Sequence, residues 1–326
     1  MDVRPETARV ALCAAAAAAI AGCGAGDDRP AAGPGWRSLS PAQLARTEVA
    51  AARAGRFIYV MGGFERESGG SSAATERYDI GRDRWKRVAA MPVALNHAAA
   101  ASYRGDVYVI GGYAGTRDLS HEVATLYRYN PDRDRWKRLP SAPTARGALV
   151  AGVIGDRLYV AGGANAREGA LATLEIYDFR TRRWRRGPDM ALAREHLAGA
   201  VAGGRFYALA GRAAGAGNFA AAEAYDPRAR RWRALPPMRK PRGGIGAAAV
   251  GGRIVVAGGE EAAGTIREVE LFNPRTRRWR RLADLPTPRH GLGVVSRRGR
   301  VYAIEGGDSP GFAFTSALEV LDLRRP

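Results

Sequence analysis

Arg46, Asn96, Arg146, Arg194, Arg242 and Arg289 each stand at the head of a small apolar stretch, at nearly even spacing along the chain. A guanidinium offers five N–H donors in a rigid fork that fits carboxylate, sulfate or phosphate oxygens. Five of them at one mouth would form a positive funnel for an acidic ligand. Histidines adjoin three of the positions: His97, His196 and His290, while His121 lies elsewhere. His196 and His290 therefore join the ring as candidate ligand-binding residues. His97 and His290 follow the ring position by one residue and His196 by two, so their imidazoles are expected to diverge. No carboxylate or cysteine recurs with them at metal-ligand spacing, so neither a metal nor a cofactor is expected. Glu305 ends an apolar run beside the ring; it could serve as a general base, pair with an arginine, or mark a decayed repeat position.

A second cationic pattern is "RTRRWRR", present at Arg180–Arg186 and again at Arg275–Arg281. Arginines around an indole have the ingredients of a nucleic-acid grip. Related strings recur, however, as "GRDRWKR", "PDRDRWKR" and "PRARRWR", which ties the motif to a repeat. The tryptophan is then a core residue between repeats, the arginines a solvated basic rim, and no nucleic acid is expected as partner.

The repeat itself is read from three series that must position these side chains. Tryptophans stand at Trp36, Trp85, Trp136, Trp184, Trp232 and Trp279. Apolar runs end at Gly62, Gly111, Gly162, Ala210, Gly258 and Glu305, always 26 residues after a tryptophan. Tyr78, Tyr129, Tyr177, Tyr225 and Phe272 each precede the next tryptophan by seven residues. Each unit holds four short apolar segments separated by turn residues, as one propeller blade does. The first segment is always small (Ala, Gly, Val), as expected where six wedges converge on an axis.

Gly-Gly at the end of an apolar strand, then Tyr-Asp or Tyr-Asn, then a tryptophan strand, resembles the kelch repeat. The pairs are Gly62-Gly63, Gly111-Gly112, Gly162-Gly163 and Gly258-Gly259, followed by Tyr78-Asp79, Tyr129-Asn130, Tyr177-Asp178 and Tyr225-Asp226. The resemblance implies an all-β, six-bladed β-propeller spanning residues 35–326. The last repeat stops before its tryptophan strand, so "GWRSL" at Gly35–Leu39 is expected to close it and remove the open edge. Loops between the second and third strands carry all the length variation and are the expected binding face. The resemblance also implies a second role for the arginine ring, as structural hydrogen-bond donors to neighbouring loops.

The remaining sequence concerns compartment. Arg4 and Arg9 precede the apolar run Val10–Ile20, too short to span a bilayer, which ends in Ile20-Ala21-Gly22-Cys23. That tetrapeptide resembles the bacterial lipobox, implying a signal peptide over residues 1–22, lipid on Cys23 and a tether over 23–34. The expected location is therefore extracytoplasmic, membrane-anchored in a bacterial cell envelope. A formal net charge of +19 favours an anionic membrane or cell-wall surface.

Two functions remain open. One is a non-enzymatic interaction module for a protein or acidic glycan at the variable loop face. The other is a sugar-active enzyme resembling sialic acid mutarotases, with Arg194, Arg242, Arg289 and Glu305 as its candidate residues. The copper radical chemistry of galactose oxidase, a kelch-type propeller, needs a cysteine that residues 24–326 lack.

Overall fold

A computed structural model describes residues 35–117 and 119–324. Six four-stranded antiparallel sheets are arranged as the blades of a propeller. In blade 1, strand a is Ala50–Ala54, b is Phe57–Met61, c is Thr75–Asp79 and d is Arg84–Val88. Blades 2 to 5 repeat this order, with their a strands at Ala99–Tyr103, Val150–Ile154, Ala198–Ala202 and Gly246–Val250. Blade 6 takes strands a to c from Gly293–Arg297, Arg300–Ile304 and Leu318–Asp322. Its fourth strand is Trp36–Ser38, antiparallel to strand c with Trp36 opposite Leu321. Joining the two ends of the chain in one sheet closes the ring, as expected from the missing tryptophan strand. The expected signal peptide, lipidation site at Cys23 and tether fall in residues 1–34, which lie outside the described residues.

Strand position dictates residue type. Strand b is buried along nearly its whole length, as in Asp106–Ile110, and reads as a continuous apolar run. Strand a alternates buried and half-buried residues, most of them alanine, because it faces the narrow axis on one side. Strand d is largely exposed, which is where the arginines of "RTRRWRR" go. Its tryptophan is the exception: each indole N–H donates across the blade boundary. Trp85, Trp136, Trp184, Trp232 and Trp279 reach the carbonyls of Ser40, Ala89, Pro140, Pro188 and Pro236 at 2.7–2.9 Å. Trp36 makes the same bond to Ala283 at 2.9 Å. The tryptophan therefore rivets one blade to the preceding one and is not free to stack on a base.

The Gly-Gly element joins blades at the other end of the strands. Gly62 has φ +64°, and a Cβ there would lie 2.3 Å from the Leu95 carbonyl oxygen. The N–H of Gly63 donates to that carbonyl at 2.8 Å. The same bond recurs from Gly112, Gly163, Gly211, Gly259 and Gly306 to Arg146, Arg194, Arg242, Arg289 and Arg46. Glycine is favoured because the backbone of the next blade passes so close, although Ala210 and Glu305 stand at that position in blades 4 and 6.

Candidate functional site at the axial mouth

The d–a and b–c connections share one face, and short ribbons such as Arg46–Thr47 with Phe64–Glu65 tie them together. The five ring arginines lie beneath this face, inside the blades. Arg46, Arg194, Arg242 and Arg289 have no exposed surface and Arg146 is 1% exposed. The positive funnel expected of them is not formed; a buried guanidinium must be paired, and these are. Each meets a glutamate two residues before the aromatic position of strand c. Arg146 reaches Glu175 at 3.0 Å, Arg194 reaches Glu223 at 2.8 Å and Arg289 reaches Glu319 at 2.7 Å. Arg242 pairs with Glu270, and Arg46 with Glu76 at 2.9 Å. Carbonyls such as Gly62, Ala208 and Ala303 accept further N–H groups. This matches the structural role implied for the ring.

Glu305 belongs to the same system. It occupies the first glycine position with φ +54° and is fully buried. Since that position abuts the next blade, its carboxylate reaches Arg46 through two bonds, 3.0 Å to Nε and 2.9 Å to Nη2. Burial pushes the Glu305 carboxyl up to about 7, against the pull of Arg46. Glu76 is likewise raised by burial, against the pull of Arg46. Glu305 faces an ion pair rather than a cavity, so the general-base geometry is not met.

Asn96 does not occupy the ring position. Counting back 16 residues from Gly62, Gly111, Gly162, Ala210, Gly258 and Glu305 gives Arg46, Leu95, Arg146, Arg194, Arg242 and Arg289. Leu95 is the second member, and Tyr127 replaces the glutamate opposite it. This correction of register changes the histidines too. Two residues beyond the ring position stand Glu48, His97, Ala148, His196, Gly244 and Gly291, one per blade. All six have positive φ, between 51° and 66°. Their backbones form a belt around the axis. His97, Ala148, His196, Gly244 and Gly291 each donate an N–H to the carbonyl of the preceding member at 2.8–3.0 Å. Val49 N–H closes the circle on Gly291.

His97 and His196 thus share a repeat position and converge, contrary to the expected divergence. Their Nε2 atoms are 2.9 Å apart, and His97 Nε2 lies 3.3 Å from Glu48 Oε2. These three donor groups all lie within 4.8 Å of one another. They line an axial cavity of about 90 Å³, whose floor is apolar: Val49, Leu149, Leu197, Ile245 and Leu292. A Cβ on Gly291 would sit 2.6 Å from Glu48 Oε1, so glycine there leaves room for this carboxylate. Behind them, Asn96 Oδ1 meets His97 Nδ1 at 2.5 Å, and Glu195 meets His196 Nδ1. Glu195 is held by Arg212 at 2.9 Å, and Arg212 also grips Glu260 at 2.6 Å. His290, one position earlier in its repeat, binds the far oxygen of Glu48 at 3.1 Å and the Ser309 carbonyl at 3.1 Å.

Charge follows from this arrangement. Burial pushes the His97 imidazolium down to about 4, only partly opposed by Glu48. Burial also opposes ionisation of Glu48, yet the surrounding histidines hold its carboxyl below the usual range. His290 is raised despite burial, through its bond to Glu48 and its proximity to Glu260. Of the predicted ligand residues, then, the mouth gathers Asn96, His196 and His290 and excludes the five arginines. Glu48 and Glu195 were not foreseen; the offset from the Gly-Gly sites was the signal that could have located Glu48.

Beyond the apolar floor a second axial cavity of about 180 Å³ runs between the a strands, and two larger concavities lie elsewhere. One of about 600 Å³ is lined by Arg128, Arg133, Arg135, Trp136 and Lys137 of blade 2. Another of about 630 Å³ opens on the opposite face among the a–b turns, with Arg53, Arg56, Arg297 and Arg298.

Residues 37–191 match the KLHDC2/KLHL20/DRC7 Kelch-repeats domain, and residues 193–239 and 241–286 match the Kelch motif. Among curated proteins, Kelch-like protein terF of Aspergillus terreus is 35% identical over 133 residues, covering 39% of this chain and 29% of that protein. Alpha-scruin of Limulus polyphemus is 29% identical over 140 residues (42% and 15%). Human Kelch-like protein 23 is 29% identical over 128 residues (39% and 22%). The chain therefore aligns with less than a third of the length of these relatives. A solved structure, that of YjhT, superposes with a TM-score of 0.73 at 18% identity, over 86% of this chain and 95% of that one. At such identity the likeness speaks for the fold alone. Repeats, closed ring and matches agree: the chain is a six-bladed β-propeller of kelch repeats.

Proposed function

We propose that this propeller is a non-catalytic interaction module that docks a protein through its b–c loop face. One observation carries the reading. Among the described residues, the exposed large apolar side chains are Val93, Leu119 and Phe312, and all three belong to connections of this face. Phe312 is 57% exposed and rests on Phe64, ring centroids 5.0 Å apart, with the Arg117 guanidinium 5.9 Å from its ring. Exposed aromatics beside arginine are the usual anchors of protein interfaces. The sugar-enzyme reading is less well supported, because Arg194, Arg242, Arg289 and Glu305 are buried and paired. The axial cavity, about 90 Å³, is also smaller than the roughly 300–1,000 Å³ usual for ligand pockets.

The lipobox-like Ile20-Ala21-Gly22-Cys23 supports lipid attachment at Cys23 and an extracytoplasmic place in the cell envelope. The arginine-lined concavities and the exposed d strands would suit an anionic membrane or wall surface, adding a second signal to the lipid.

The test is site-specific photo-crosslinking in the producing cell, from position 312 and from position 180 in a c–d turn. A protein adduct from 312, absent from 180 and lost with Leu119→Ser, is the expected result. Equal adducts from both positions, or none, would overturn the reading. A thermal shift with N-acetylneuraminate or a uronic acid would move the choice to an acidic glycan. Cys23→Ser should abolish incorporation of labelled fatty acid.

A further inference from the structure

The geometry points to a binding site for a divalent first-row transition metal ion at the axial mouth, with Glu48, His97 and His196 as its protein ligands. Asn96 Nδ2 donates to the Tyr113 carbonyl at 3.3 Å and to Ser71 Oγ at 2.8 Å. That fixes the amide with Oδ1 toward His97, so His97 Nδ1 carries the hydrogen. His196 Nδ1 faces the Glu195 carboxylate, itself held by Arg212, so it carries one as well. In the neutral rings both Nε2 atoms are thereby left as lone-pair donors, 2.9 Å apart, with the Glu48 carboxylate 3.3 Å from the nearer one. Three acceptors aimed at one another repel unless a proton or a metal ion sits among them. Two nitrogens at that separation can each lie about 2.1 Å from one ion at a right angle.

The supporting shell has the form metal sites need. Each ligating imidazole donates its other N–H to a fixed oxygen, and the carboxylate is held from behind by His290. Thr47 Oγ1 is buried without a partner, 2.6 Å from where a Gly291 Cβ would stand, the same distance as Glu48 Oε1. Glu48, Glu195 and Glu260 outnumber Arg212 and His290 in charge, which favours a cation. Two imidazoles and one carboxylate suit zinc, cobalt, nickel or iron rather than calcium or magnesium. A cavity of about 90 Å³ leaves room for water on the remaining coordination positions, each water taking roughly 30 Å³. The ligands come from blades 1, 2 and 4, so the ion would staple the ring across its axis.

The experiment is metal analysis and thermal unfolding of the full purified chain, stripped with chelator and reloaded with zinc(II) or cobalt(II). The expected result is one ion retained per chain after dialysis, a visible absorption band with cobalt, and a raised Tm on loading. Glu48→Gln and His196→Asn should each lose all three responses, and Asn96→Ala should weaken binding about 10- to 100-fold. His121→Ala, outside the cluster, should bind as the parent does. Both ligand variants are near-isosteric, and their metal-free Tm values report whether they fold. Failure of the parent to retain an ion at micromolar concentration would overturn the proposal. So would unchanged binding in Glu48→Gln and His196→Asn, or loss of binding in His121→Ala.

Discussion

Blade 2 and the other five solve the same packing problem with opposite chemistry. Five blades bury an arginine on a strand-c glutamate; blade 2 puts Leu95 and Tyr127 there, 1% and 4% exposed. The fold therefore needs the position filled, not charged. What the ion pair adds is a tether, because the second oxygen of each glutamate holds the d–a connection. Gln43 N, Thr144 Oγ1, Ala191 N, Arg239 N and Thr287 Oγ1 donate to Glu76, Glu175, Glu223, Glu270 and Glu319. In blade 2 the connection is pinned instead by Asn96, through Ser71 and Tyr113. The residue after Asn96, His97, enters the axial cluster, as Glu48 of blade 1 and His196 of blade 4 do.

The comparison is broken hardest by removing one partner only. Arg194→Met leaves Glu223 buried without its cation and should cost about 3–5 kcal/mol, read as a lower denaturant midpoint at unchanged m-value. A loss under about 1 kcal/mol would mean that water enters and replaces the guanidinium. The next largest effect is a pH dependence at the junction of blades 6 and 1. Burial raises Glu305 from an ordinary value of 4.5 to about 7. Its contribution is thus fully present below about pH 4.5 and is lost as pH rises through about 7, an effect of roughly 3 kcal/mol. Unfolding free energies at pH 5.5 and pH 8 should differ more in the parent than in Glu305→Gln. Equal differences in both would refute the assignment. A smaller effect is expected from importing the blade-2 solution into blade 4. Arg194→Leu with Glu223→Tyr should recover stability to within about 2 kcal/mol of the parent, since apolar pairs of similar volume commonly replace buried ion pairs.

The architecture was legible because it is written in offsets. Six tryptophans riveting neighbouring blades and six strand-b ends abutting the next blade, four of them Gly-Gly, both force fixed spacing, and loop insertions cannot disturb it. The arginine ring was legible as a position and not as a role. Exposure depends on whether a partner lies within reach, and the glutamates that neutralise it sit about 30 residues away in strand c. Asn96 was placed one residue off because it resembles arginine in polarity, whereas Leu95 holds the register. The axial cluster was hidden for the same reason: Glu48, His97 and His196 are about 50 residues or more apart and differ in type. Only their common place in the repeat, with φ in the left-handed region, brings them to the axis.

The sharpest test of the comparison is the smallest in energy. Glu305→Gly restores the glycine of the repeat and leaves Arg46 with Glu76 alone, as its four counterparts are. In those counterparts Nε of Arg146, Arg194, Arg242 and Arg289 is buried without a partner, so the blades tolerate that loss. Removing Glu305 also relieves a left-handed backbone on a residue with a Cβ, worth roughly 1–2 kcal/mol. At pH 8 the carboxylate is ionised and shares its guanidinium with Glu76, so the gains and losses should offset to within about 1 kcal/mol. At pH 5.5 Glu305 holds a proton and more than half of its contribution remains, so the same substitution should cost more. A cost that is large at pH 8 and flat with pH would mean the first and last blades depend on this ion pair in a way no other junction does.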